Sequence, residues 1–334
     1  MERGRFCGSR PCGESSIMPT RQLSSAWILC AVIVGAGLAG FVPVESPILE
    51  ALVWVALGIM VFCVVQALPL LSLGKAIAKP RVLVALFSVN LLVVPAVSFV
   101  LSRVLWQHPD IQVGLLLVLL APGVALSLTT VKQAGGDVES VLGAKPVLLV
   151  GQLIVVPLFA IGLSGGVLGF DDLSPTFVAI ALAIFVPGLV AVGFQALAAR
   201  SGAMSRIRQR LSENTVVAIG VAVIFVVWSR VPGHLDELTE LFRLVPLFFA
   251  FLVLMAPLGL LAGILTSLTA GEKRAIMIVG AGRGGVIMLP IAMALDQSIW
   301  GMIPLVVVVH LAIEILGMMV YRSIVPELVP LDHR

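Results

Sequence analysis

Charged residues are scarce in this chain, and tyrosine, cysteine and histidine are scarcer still. Asp, Glu, Lys and Arg make up 12% of the 334 residues, whereas apolar types make up 60%. A soluble domain usually carries roughly a quarter charged residues. The composition therefore excludes water-soluble enzymes, nucleic-acid-binding proteins and disordered proteins. The small net charge of +3 indicates no acidic macromolecular partner.

The few cysteines and histidines argue against a disulfide framework, a metal centre and an intramembrane enzyme. Cys7 and Cys12 lie in a polar tail, whereas Cys30 and Cys63 lie in apolar runs, as small core residues do. An intramembrane enzyme needs a nucleophile beside a base or a metal cluster, and His310 stands alone in its apolar run. The sequence therefore predicts no enzyme, no cofactor and no metal. A membrane sensor or scaffold is the alternative of another class, although no linker is long enough for a soluble domain.

Apolar runs of membrane-spanning length recur along the chain, separated by short polar linkers. A span needs about 20 apolar residues, and in lipid it must be a helix because its backbone has no water to bond. The ten runs lie near residues 25–42, 49–73, 82–106, 111–132, 141–166, 175–199, 215–231, 241–268, 274–295 and 298–322. The sequence therefore predicts an all-α membrane protein with ten transmembrane helices. Residues 1–24 form a predicted cytoplasmic N-terminal tail, within which Met18 is an alternative start.

The basic residues predict the orientation of these spans. With ten spans both termini lie on one face, and the linkers of that face carry most of the lysines and arginines. The opposite face carries Arg103, Arg230 and Arg243. Cytoplasmic loops are enriched in basic residues. We therefore predict a multi-pass protein of the cytoplasmic (inner) membrane with both termini in the cytoplasm.

The second half of the chain repeats the pattern of the first at an offset of 158 to 162 residues. The fourth and ninth spans each contain a break, at Ala-Pro-Gly of residues 121–123 and at Gly-Ala-Gly-Arg-Gly-Gly of residues 280–285. Five spans per repeat is an odd number, so residues 25–170 and 171–330 are predicted to be inverted repeats. Inverted repeats with interrupted helices are typical of secondary transporters.

The chemistry of the two breaks favours an anion site near the bilayer centre. Pro122 cannot donate a backbone hydrogen bond and clashes with the preceding turn, and the glycines of the second break permit close backbone approach. Free N–H groups at the start of each second half-helix carry the positive end of the helix dipole. Irregular backbone at that depth is tolerated only against protein or water. We therefore expect the two breaks to face each other.

Side chains at the breaks are candidates for this site. A basic group at the bilayer centre costs about 3 kcal/mol unless it faces a cavity or a partner. We therefore interpret Arg283 as a fixed charge beside the substrate path, with an ion pair that holds the crossing together as the alternative. Three hydroxyl side chains follow the first break. We interpret them as lining the substrate site, and the alternative is that they only pack between helices. The predicted substrate-binding residues are Gly123, Ser127, Thr129, Thr130, Arg283, Gly284 and Asn90.

Three further polar residues are predicted to balance charge or couple transport to a proton. Glu314 and His310 form an i, i+4 pair on one face of the tenth span. A buried carboxylate needs a cation, for which Arg283 and Lys145 are the candidates. Lys145 points either to the crossing or to the cytoplasmic interface. For His310 a core pair that orients the helix is the alternative, and for Asn90 an interhelix hydrogen bond.

These motifs resemble the bile acid:sodium symporter superfamily, and within it the arsenical-resistance permease-like branch. The resemblance covers residues 25–330. It rests on VNLLVVP with Asn90, on APG followed by Ser127 and the GGD of residues 135–137, on RGGVIMLPIAMAL from Arg283, and on HLAIEILGMMVYRSIVPELVP from His310. The resemblance implies ten helices in a panel domain and a core domain, with helices 4 and 9 crossing in the core. It also implies transport by alternating access.

Departures from the family pattern bear on the coupling ion and the substrate. Sodium-coupled members have a Ser-Asn pair after the first break, where this chain has Ser127 and Leu128. They also have an acid and an amide near the second break, where this chain has Arg283. Sodium needs several hard oxygen ligands. We therefore expect fixed cations to substitute for sodium. Arsenite permeases place a cysteine after the fourth-helix proline, where this chain has Gly123.

The sequence thus predicts a permease that moves a small anion, organic or oxyanion, by sodium-independent alternating access. The alternatives are an arsenite or arsenical efflux permease and a sodium-coupled organic-anion symporter. The predicted partners are the anionic substrate and the lipid bilayer, with a homo-oligomer left open and no nucleic acid.

Overall fold

The computed structural model describes residues 19–41, 46–68, 79–123, 126–169 and 181–331. Met18 and the side chain of Lys145 lie outside the described residues. Every regular element in the described ranges is a helix. The α-helices are α1 (Pro19–Phe41), α2 (Pro47–Gln66), α3 (Pro80–Ser88), α4 (Val94–Ser102), α5 (Pro109–Leu120), α6 (Leu126–Gln133), α7 (Val138–Ser164), α8 (Val186–Ala198), α9 (Gly202–Glu213), α10 (Thr215–Arg230), α11 (Leu244–Leu265), α12 (Ala270–Ala281), α13 (Leu289–Ala294), α14 (Gln297–Trp300) and α15 (Ile303–Leu328).

Shorter π and 3-10 segments connect several of these helices. π-helical turns occupy Val89–Val93, between α3 and α4, and Ala181–Phe185, before α8. Both precede a proline, Pro95 or Pro187, whose missing N–H disrupts the regular hydrogen-bond ladder. The main 3-10 segment is Pro232–Arg243. The predicted third span therefore continues as one helical rod across its proline.

Five of the helical stretches are long and apolar enough to cross a membrane. They are Pro47–Gln66, Pro80–Leu105, Pro232–Leu265, Ala270–Ala294 and Ile303–Leu328. A sixth span results if α9 and α10, which are bent by 51° at their junction, count as one. The protein is thus helical and multi-pass, whereas the ten-helix inverted repeat stays a prediction. The fourth predicted span is not counted, because its break at residues 121–123 divides it into α5 and α6, which are individually too short.

The helices pack in two groups, and each group takes helices from both halves of the sequence. In one group α1 and α2 pack against α8 and α10. In the other, α3 to α7 pack among α11 to α15. The first group includes two reciprocal glutamine contacts: Gln66 Nε2 donates to the carbonyl of Ala191, at 3.0 Å, and Gln195 Nε2 donates to that of Val65, at 2.7 Å. Neither predicted repeat therefore packs as a unit by itself.

A cluster of charged side chains, which we call the Lys79 cluster, joins three distant segments of the second group. Lys79 Nζ lies 2.7 Å from Asp137 Oδ2 and 3.0 Å from Glu272 Oε1. Ser140 Oγ donates to Asp137, and Glu272 also caps α12 through Thr269. The Lys79 cluster thus fastens the start of α3 and the turn before α7 to the first turn of α12.

The Lys79 cluster makes the stability of the protein depend on pH in the acid range. Burial alone would raise the pKa of Asp137, but hydrogen bonds from Lys79 and Ser140 outweigh it and lower this pKa to about 2. A carboxylate with a lowered pKa stabilises the fold above its ordinary value of 3.8, and this stability is lost as the pH falls towards 2.

Replacing Lys79 by methionine should lower the free energy of unfolding at pH 7 by about 1 kcal/mol, because this partly exposed cation separates two carboxylates. Denaturant unfolding in detergent at pH 7 and pH 3 measures the effect. We expect Asp137→Asn to flatten the acid dependence. Lys132→Met, at an exposed lysine in the last turn of α6, is the control. An equal loss in the control variant would contradict the role of the Lys79 cluster.

Candidate functional site

The two sequence breaks interrupt the helices at both expected places. The helix α5 ends at Leu120, Ala121 turns to ψ 144°, and α6 is described from Leu126 to Gln133. The second interruption follows α12, where Gly282 adopts ψ 108° and Gly284 adopts ψ 52° before a 3-10 segment begins at Gly285. Each break leaves carbonyl groups at one helix end and N–H groups at the next without intrahelical partners.

The two breaks touch each other through glycine. A Cβ atom at Gly123 would collide with the carbonyl oxygen of Gly282. A Cβ atom at Gly282 would lie 2.9 Å from the Cβ of Ser127. The backbones are therefore as close as the absence of side chains allows. We call this contact the break junction.

Arg283 lies at the break junction and is completely buried, with 0% exposure. Its Nη1 donates to Asn90 Oδ1 at 2.7 Å, and its Nη2 donates to the Leu120 carbonyl at 3.3 Å. The Nε atom is buried without a hydrogen-bond partner among the described residues. The guanidinium thus extends from the second break to the last residue of α5, at the first break.

The position of the Leu120 carbonyl explains why a cation is stable there. Leu120 is the last residue of α5, so its carbonyl belongs to the negative end of that helix dipole. A buried arginine costs several kcal/mol unless its charge is compensated. The carbonyl and the Asn90 amide supply oxygen acceptors, and the charge of Glu314 also acts on Arg283.

Asn90 connects the break junction to a third helix. It lies in the π-helical turn Val89–Val93, and its Nδ2 donates to the Leu86 carbonyl at 2.8 Å. Its Oδ1 accepts from Arg283 and, at 3.3 Å, from Gln152 Nε2 of α7. π-helical turns are frequent at functional sites. Asn90 therefore holds Nη1 of the guanidinium while the Leu120 carbonyl of the first break holds Nη2.

His310 and Glu314 lie one turn apart on α15, next to the second break. His310 Nδ1 is 3.9 Å from Glu314 Oε2, and the imidazole meets Phe248 edge to face with ring centroids 4.9 Å apart. A Cβ atom at Gly285 would lie 2.9 Å from His310 Nδ1, so the histidine packs directly on the second break. Both side chains are buried. The buried region that contains Arg283 therefore also contains a carboxylate and an imidazole.

Comparison with known families matches residues 54–231, just over half of the chain, to the Sodium Bile acid symporter family. The chain belongs to this family. Its members are transporters rather than enzymes, and together with the apolar helices the match identifies a multi-pass membrane transporter of the bile acid symporter type. A search of curated proteins finds no match. Membership of the arsenical-resistance branch stays a prediction.

The structure of this bile acid symporter-family chain brings together some of the predicted site residues. Gly123, Ser127 and Arg283 meet at the break junction, with Asn90 beside them. Gly284 follows Arg283 and directly precedes the 3-10 segment, which begins at Gly285. The three hydroxyls of α6 do not share one face: Ser127 and Thr130 are buried, three residues apart, whereas Thr129 is exposed. Helical geometry separates Thr129 from the other two.

Two groups at the site of this transporter were not among the predicted binding residues. One is the Leu120 carbonyl, which Pro122 already signals because a proline break exposes the carbonyls before it. The other is Gln152, whose amide nitrogen bonds Asn90. Nothing in the local sequence pairs these two amides, which are 62 residues apart. Among the described residues no cluster of His, Cys, Asp and Glu is able to hold a metal ion.

Proposed function

We propose that this protein is a secondary transporter that moves a small anion, organic or oxyanion, by alternating access and without sodium. In this proposal it spans the inner membrane ten times as two inverted repeats, with both termini in the cytoplasm. The fourth and ninth spans are the interrupted pair that meets at the break junction. The substrate binds beside the junction, because the contact of Gly123 with Gly282 leaves no room between the glycines themselves.

One observation carries the sodium-independent part of the proposal. The Arg283 guanidinium binds a side-chain oxygen of Asn90 and the backbone oxygen of Leu120. Amide and carbonyl oxygens are the ligands that a hard metal cation would take at such a place. A covalently attached positive charge therefore supplies the compensation that a bound sodium ion would otherwise provide. Because this charge is permanent, the transport cycle needs no sodium gradient to complete the site.

The remaining polar groups support an anion as the substrate. The buried Nε of Arg283 still has a proton to donate, since the structure gives it no partner in the described residues. Ser127 lies against the second break, and the N-terminal end of a half-helix carries a positive partial charge that favours anions. Glu314 balances the positive charge, and with His310 it is the proposed carrier of a coupling proton. Lys145 is the proposed second cation.

Uptake into liposomes tests this proposal. The full-length protein is reconstituted, and the uptake of radiolabelled bicarbonate, arsenate and small carboxylates, and of arsenite in a separate series, is measured in sodium and in choline buffers. We expect uptake of at least one of these anions above protein-free liposomes, at the same rate in both buffers. Steep dependence on sodium would contradict the fixed-charge role of Arg283. If arsenite alone were taken up, the substrate would be a neutral arsenical and not an anion, which would contradict the proposal.

A further inference from the structure

The helix α9 has a more exposed surface than the helices α2, α8 and α10 beside it, which all contain buried residues. None of its residues is buried, although it packs against α8 and α2. It is bent by 51° from α10, which follows it directly. The apolar helices on both sides expose large side chains close to it in sequence, Leu197 at 51% in α8 and Val217 at 48% in α10. The helix thus lies where the exposed apolar surfaces of α8 and α10 end.

One exposed face of α9 combines arginine with an apolar side chain. Ala203, Arg206, Ile207 and Arg210 are all exposed and follow the i, i+3, i+4, i+7 spacing of a single helix face. Ile207 exposes 46% of its surface. Arg200, also exposed, precedes the helix. We call these five residues the arginine face.

The positive charge of the arginine face is not neutralised within the part of the chain that the structure describes. Over the described ranges, no carboxylate lies within ion-pairing distance of Arg200, Arg206 or Arg210. The one acid of the helix, Glu213, accepts a hydrogen bond from Gln209 at 2.9 Å. Three exposed guanidinium groups with no internal partner match an anionic surface in charge. Their fork-shaped donors also suit phosphate oxygens.

We propose that the arginine face binds the headgroups of anionic phospholipids in the leaflet that it borders. Ile207 sits at the boundary between headgroups and acyl chains, and the three arginines contact the phosphates. An exposed helix with arginines beside an apolar residue is typical of interfacial binding. Each basic residue near an anionic bilayer contributes to the attraction. The site is independent of the transported substrate and lies apart from the break junction.

Native mass spectrometry of the full-length protein in detergent tests the proposal, with phosphatidylglycerol and phosphatidylcholine added in equal amounts. We expect the wild type to retain phosphatidylglycerol in preference to phosphatidylcholine. The variant R200Q/R206Q/R210Q should lose at least about tenfold of this preference. The control R81Q/K132Q/R322Q removes the same charge from exposed basic residues outside α9 and should keep the preference. An unchanged preference in the first variant, or an equal loss in the control, would overturn the proposal.

A second comparison separates a lipid from a free phosphate ion. Ile207→Ser keeps all arginines but removes the apolar contact, so it should weaken retention of phosphatidylglycerol. Inorganic phosphate at the same concentration should not displace the lipid from the wild type. Displacement by phosphate together with full retention by Ile207→Ser would mean a simple anion site and would refute lipid binding. Thermal unfolding without lipid should be the same in all variants, because the replaced side chains are exposed.

Discussion

We expect the Arg283→Met substitution to abolish transport and to lower the free energy of unfolding by about 3 kcal/mol. The change leaves the Leu120 carbonyl without its donor, and Asn90 Oδ1 with only the longer hydrogen bond from Gln152. It also removes the buried positive charge that acts with Glu314. Uptake per folded molecule in liposomes and denaturant unfolding in detergent measure the two effects.

Arg274 provides a matched control for this experiment. It is also a buried arginine, but its guanidinium donates to the carbonyls of Ala134 and Val329 at the other end of α12. We expect Arg274→Met to lower stability while keeping uptake per folded molecule. In Arg283→Ala the freed oxygens should bind an added cation, so sodium or guanidinium ions should raise its thermal unfolding temperature more than that of the wild type. Normal uptake by folded Arg283→Met would rule out the proposed role.

The second large effect is expected from Gly123→Ala. The added methyl group would clash with the Gly282 carbonyl oxygen, so the two breaks must separate. Overpacking of this kind costs about 1 to 3 kcal/mol, and here a backbone atom rather than a flexible side chain has to move. Separation would also pull Arg283 away from the Leu120 carbonyl. Uptake should therefore fall further than the loss of stability alone explains.

Gly188→Ala is the control for this substitution. It lies in the helix α8, and a Cβ atom there meets nothing within 4 Å. Alanine is the better helix former, so this change should be neutral or slightly stabilising. Gly282→Ala, whose Cβ would approach Ser127, should resemble Gly123→Ala. If Gly123→Ala transports and unfolds as the control does, the breaks are not held in contact in the working protein.

Local chemistry made the two interruptions predictable. Proline removes a backbone donor wherever it occurs, and a run of glycines with one arginine cannot propagate a stable apolar helix. The structure accordingly ends α5 at Leu120 and α12 at Ala281. The sequence also predicted that Arg283 faces a cavity or a partner, because a charge at the bilayer centre is costly, and the structure shows it fully buried against partners. Its acceptors do not follow, since Asn90 is 193 residues away.

The Lys79 cluster was out of reach of sequence reasoning for a similar reason. Lys79, Asp137 and Glu272 stand in three separate polar linkers, each of which resembles an ordinary solvated turn. Only the packing of α3, α7 and α12 brings both carboxylates within 3.0 Å of Lys79 Nζ. The hydroxyls of α6 illustrate the opposite case, because the i, i+3 rule already separates Thr129 from Ser127 and Thr130.

The amino-acid sequence by itself determined that this is a helical membrane protein with two interrupted helices, because hydropathy, proline and glycine act through the local backbone. Only the tertiary structure decided that the interruptions touch and that Arg283 joins Asn90 to the Leu120 carbonyl. It also decided that each packing group draws helices from both halves. Such contacts depend on how whole helices fit side by side, and the spacing of residues along one helix does not encode that fit.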